Sequence, residues 1–104
     1  MRALLVEQDN LPRLVEIEDF SILKVSKTKQ VPFVHGAHGG VVGIFELVCD
    51  ADQRRHRENP MLGQIRGPFL ITKLTEEGPG YRSLRSDEVD DLMRLLSGVP
   101  TCQL

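Results

Sequence analysis

The chain has no tryptophan, one tyrosine, four phenylalanines and two cysteines in 104 residues. So few flat side chains leave little on which bases or sugars can stack. The core therefore falls to aliphatic residues. Two cysteines, Cys49 and Cys102, do not make the dense disulfide framework of a small secreted domain. Cys49 ends an apolar run and reads as a small buried hydrophobe, while Cys102 sits in a segment expected to fray. Charge of one sign is also missing: 13 Lys and Arg against 15 Asp and Glu give a net charge of −2. No overall basic field draws the chain to nucleic acid or to an anionic membrane. The opening residues reach Glu7 and Asp9 before an apolar signal-peptide segment builds up. No apolar run approaches the roughly 18 residues that span a bilayer. The expectation is a soluble, cytoplasmic protein with no cofactor.

What is present is globular in composition, 40% hydrophobic and 27% charged, and suits one α+β domain over residues 1–98 with a flexible tail at 99–104. Residues 2–7 form a short apolar strand, and 8–12 hold turn chemistry ending at Pro12. Residues 13–18 alternate, Val15 and Ile17 on one face and Glu16 and Glu18 on the other, which pairs them with the first strand as a hairpin. Residues 19–27 fit a short helix capped by Asp19 or a strand edge over 22–26, and the helix is favoured. Pro32 confines 30–35 to an edge or a bulge. Residues 36–40 are a glycine-rich turn. Residues 41–49, with Glu46 the one charge, suit a central strand buried on both faces. A loop follows over 50–63, then a strand over 65–73 with a bulge at Gly67 and Pro68.

The C-terminal pattern is the clearest. Ser86 fits an N-cap, Asp87 and Glu88 face the positive end of the helix dipole, and Val89, Leu92, Met93 and Leu96 make one apolar stripe. Gly98 and Pro100 are stop signals. The predicted architecture is a mostly antiparallel sheet of about five strands with this helix packed on one face.

Four sets of residues carry candidate chemistry. His35 and His38, with Cys49 and more remotely His56, contain ligand types for zinc, although no Cys-x-x-Cys pair nucleates a site. Glycines beside those histidines are equally explained by a turn. That loop is not a phosphate cradle, because a strand follows where a helix N-terminus belongs. Arg54, Arg55 and Arg57 flank His56 in the one strong basic cluster and can grip phosphates, though Asp50, Asp52 and Glu58 blunt the field. Glu16 and Glu18 share a face as paired carboxylates do, a pattern more often met as plain surface charge. Asp87, Glu88, Asp90 and Asp91 make an acidic helix face. Burial of Cys49 silences a thiol nucleophile, and no Gly-x-Ser-x-Gly elbow occurs.

Three pieces, taken in order, resemble the uncharacterised domain-of-unknown-function family 3846 of phages, plasmids and conjugative elements. They are MRALLVE at 1–7 leading to VEIE at 15–18, GGVVGIFELVCD at 39–50, and IRGPFLI at 65–71 followed by Ser83, Leu84 and the acidic helix. The segment after Glu18 is less helical than the family pattern, and 50–63 is shorter. The resemblance implies a mobile-element context and brings no activity or site. The expected function is a small accessory domain that binds a protein partner or a second copy of itself. A nucleic-acid accessory protein using the arginine loop is the alternative, and a small metal-binding protein is a third class.

Overall fold

The computed structural model describes residues 1–36, 42–60, 62–75 and 77–97. Among these residues the strands are β1 (Arg2–Val6), β2 (Arg13–Glu16), β3 (Thr28–Gly36), β4 (Val42–Asp50), β5 (Glu58–Asn59), β6 (Leu62–Arg66), β7 (Phe69–Leu74) and β8 (Tyr81–Arg82), and the α-helix is α1 (Ser86–Ser97). The main sheet runs β2-β1-β7-β4-β3, with β8 pairing β7, and every pairing in it is antiparallel. It thus has six strands where the sequence suggests about five. β5 and β6 form a separate two-stranded sheet.

The central strands are the apolar runs. β7 lies between β1 and β4, and Leu70, Ile71 and Thr72 in it are essentially inaccessible. Alternation sorts the core into two layers. Leu4, Val6, Phe45, Leu47, Phe69 and Ile71 face α1, which contributes Leu92 and Leu96, with Val89 and Met93 packed alongside. Ala3, Leu5, Val48 and Leu70 face the other way, under Ile17 and Leu23. Both faces are covered, so both parities of β1 are apolar. β3 and β2 are the edges, and Pro32 sits in β3 as its missing N–H requires.

Several expectations need correction. The helix favoured over 19–27 is a single 3-10 turn, Ser21–Leu23. The Asp19 carboxylate does accept from the Ser21 N–H at 2.9 Å, but Lys24 adopts φ +56° and ends the turn at once. The second strand stops at Glu16, although Ile17 is still buried. The segment 65–73 is two strands in two sheets: Gly67, at φ +77°, with Pro68 turns the chain out of one ladder and into the next. The loop over 50–63 contains a second 3-10 turn, Gln53–Arg55, and β5. At the helix start the Arg85 carbonyl accepts from Val89 N–H at 2.9 Å, so Arg85 holds the cap position and Ser86 is inside the first turn. The proposed tail at 99–104 lies outside the described residues.

Glu88 also leaves the acidic face assigned to it. It takes two parallel bonds of 2.8 Å from Arg82 and a third, 2.9 Å, from the Arg85 N–H. Burial alone pushes its carboxyl upward, but the Arg82 and Arg85 hydrogen bonds, with the Arg82 and Lys73 charges, hold it below the ordinary carboxylate range. Lys73, the ladder partner of Arg82, is buried, its ammonium 5.3 Å from the Phe45 ring centre. Asp87 and Asp90 remain exposed.

Candidate functional surface

The register brings four chain segments to one end of the sheet. Val6 pairs with Phe69, Phe69 with Cys49, and Lys29 with Cys49. The turn after β1, the segment before β3, and the loops after β4 and before β7 therefore share that end.

The loop after β4 is held by its own polar side chains. The Asp50 carboxylate is 4% exposed and accepts from the Asp52 N–H at 2.9 Å, with His56 Nε2 2.7 Å away. The His56 hydrogen bond first, then the Asp52 N–H and the nearby Arg55 charge, keep that carboxyl below its usual range. The Gln53 amide donates to the Asp50 and Arg66 carbonyls at 2.8 and 3.1 Å and accepts from the Arg66 N–H at 2.6 Å. Asn59 is fully buried and donates to the Gly67 carbonyl at 2.9 Å, while the Gly67 N–H donates to the Arg57 carbonyl at 2.9 Å. A Cβ on Gly67 would stand 2.5 Å from the His56 ring, so glycine is needed for contact as well as for φ.

This scaffold turns the arginines outward. Arg54 is 96% exposed, with Asp52 as a loose partner at 3.6 Å, and Arg55 and Arg57 are exposed too. The backbone is pinned while the guanidinium groups reach water. The Gln8 amide donates to the Arg57 carbonyl at 3.0 Å and joins the β1–β2 turn to this loop. That turn carries Leu11, 79% exposed, and β2 carries Leu14, 42% exposed; these are the exposed large hydrophobic side chains among the described residues.

Two open concavities flank the loop. One, of about 510 Å³, lies between Ser26 and Lys27 on one side and residues 50–55 on the other. The second, of about 620 Å³, is lined by Gln8, Asp9, Arg55, His56, Arg57, Glu58 and Pro60. Arg55 borders both.

Of the zinc candidates, His35 and Cys49 are held apart by the hairpin register. His35 pairs with Gly43 and Cys49 with Lys29, six positions apart on paired strands. At about 3.3 Å per residue that is on the order of 20 Å, too far for one ion. His38 lies outside the described residues, and no group of three His, Cys, Asp or Glu able to hold a metal occurs among the described ones. Burial, ahead of the opposed Lys29 and Asp50 charges, pushes the Cys49 thiol up, as expected of a core cysteine. Glu16 and Glu18 are exposed at the β2 edge.

Sequence reasoning found the arginines and missed what positions them. The Asp50–His56 contact, the Gln53 clamp and the buried Asn59 follow no period. The nearest signal is Gly67 followed by Pro68. A second missed pair is Tyr81 and Glu46: the phenol donates to the Glu46 carboxylate, and its ring meets Phe20 edge-on at 5.8 Å. Burial, with Glu46 beside it, pushes Tyr81 up to about 12. Among the described residues no helix is long and apolar enough to cross a membrane. Compared with known proteins, the chain matches no family model, no curated protein and no solved structure.

Proposed function

We propose that this chain is a small accessory interaction domain of a mobile genetic element, acting in the cytoplasm by binding a protein partner. The observation that carries the reading is the bond from Gln8 to the Arg57 carbonyl. It sets the turn bearing Leu11 against a pinned loop bearing Arg55 and Arg57. An exposed apolar side chain beside well-positioned arginines is the composition that protein interfaces favour, since Arg supplies both stem packing and several donors. The resemblance to the family of phages, plasmids and conjugative elements supplies the context.

Site-specific photo-crosslinking from position 11 in the producing host tests this reading. A discrete adduct is expected, lost in an Arg57→Glu variant and missing when the crosslinker sits at Asp90. An adduct at twice the chain mass would identify the partner as a second copy. Equal labelling from positions 11 and 90, or none from either, would refute the proposal.

A further inference from the structure

We infer that the concavity between Lys27 and the Gln53–Arg55 turn is a seat for a phosphate group. It shares Arg55 with the surface beside the Leu11 turn but rests on different observations. The Ala51 N–H donates to the Lys27 carbonyl at 2.9 Å, so the two walls are tied together at their base. Ser26, Lys27, Arg54 and Arg55 all border the space. Two carboxylates border it as well, but neither cancels this charge fully. Asp50 is buried and engaged by His56 and by the Asp52 N–H. Asp52 lies 3.6 Å from one Arg54 nitrogen, beyond hydrogen-bond length, which leaves that guanidinium its donors. The balance over the five groups, three cations against two anions, is one positive charge.

The arrangement suits phosphate better than a carboxylate. One guanidinium satisfies a carboxylate through two parallel bonds. Two guanidinium groups and an ammonium around one space can serve the three or more oxygens of a phosphate and its larger charge. Gln53 fixes the turn from beneath through bonds to Asp50 and Arg66, so the cations start from a backbone that need not be ordered on binding. The phosphate can belong to a free phosphomonoester or to a nucleic-acid strand. No aromatic ring lines the space, so a strand held here would be gripped by its backbone without base stacking, and weakly in salt.

Amide chemical-shift titration of the ¹⁵N-labelled chain tests the site, with inorganic phosphate as one probe and a short mixed-sequence single-stranded DNA as the other. Each is run at low ionic strength against a sodium chloride control. Saturable shifts are expected at Ser26, Lys27 and Gln53 to Arg55. Saturation by inorganic phosphate assigns the free group; saturation by DNA alone, released by moderate salt, assigns the diester. An Arg54→Ala, Arg55→Ala double variant, its fold checked by the same spectrum, should bind at least about tenfold more weakly. An Arg94→Ala change on α1 should leave binding unaltered. No saturable shift with either probe overturns the proposal, as do shifts that survive the double variant or spread evenly over Arg13 and Arg94.

Discussion

The two ends of β7 carry polar networks built from the same kinds of group and aimed in opposite directions. At the Lys73 end, Arg82 and Glu88 meet in two parallel bonds beside a buried lysine, and Glu88 belongs to the first turn of α1. At the Phe69 end, Asp50 and His56 meet beneath a loop whose arginines project into water. In the first network the cation is the thing held. In the second the clasp holds the backbone and leaves the cations exposed. An ion pair turned inward serves the fold, because removing either partner strands a charge. A clasp turned to the backbone serves presentation, because the groups it positions make few contacts of their own.

The largest effect should come from the core that the first network seals. Leu92 is fully buried between α1 and the sheet, so Leu92→Ala should cost about 2–5 kcal/mol in urea unfolding. A cost under 1 kcal/mol would mean that α1 is not seated on this face. Glu88→Gln comes next, at about 1–3 kcal/mol, since it takes the charge from the Arg82 pair. Its signature is pH dependence. The Glu88 carboxyl titrates below its ordinary value of 4.5 in the folded chain, so the unfolded chain takes up the proton first as pH falls. The stabilisation is therefore complete above about 4.5 and is lost as pH drops through the folded value. Between pH 5 and pH 3 the unfolding midpoint should fall more for the parent chain than for Glu88→Gln. Equal slopes would remove Glu88 from the inward network.

For the outward network the sharper test is Gly67→Ala. The substitution forces a positive φ on alanine and drives its Cβ into the His56 ring, for a cost of about 1–3 kcal/mol. In a His56→Ala background the steric part vanishes, so the same change should cost at least about 0.5 kcal/mol less. Strict additivity would show that the His56 ring does not rest on Gly67 in solution. Amide exchange over 53–57 should also accelerate in His56→Ala, with β7 unaffected.

These two regions differed in how far the sequence revealed them. α1 declared itself through its stripe, and β4 and β7 through apolar runs, because one period or one run length specifies each. Strand β8 is two residues long and shows no period at all. Gly67 and Pro68 show in the sequence as a break that a bulge also explains. Whether a chain re-enters its sheet or leaves it depends on what packs against the break, here His56, eleven residues earlier. Arg54, Arg55 and Arg57 were visible as a cluster, whereas Lys27 joins them only through the β3–β4 register. His35 and Cys49 illustrate the converse. His35 and Cys49 look close along the chain, but a long hairpin carries them to opposite ends of its ladder.

The smallest expected effect bears most directly on the contrast. Arg55→Ala should leave stability within about 0.5 kcal/mol of the parent, since the side chain is exposed and substitutions at exposed positions rarely do more. Its charge helps to hold the Asp50 carboxyl down, so the size of any loss is informative. A change near zero means that Asp50 is satisfied by His56 and the Asp52 N–H alone, leaving the guanidinium available to a ligand. A loss above about 1 kcal/mol would make Arg55 a third member of the clasp. The outward network would then be a second fold device, built like the Arg82–Glu88 pair, and the arginine loop would lose its claim to be a binding surface.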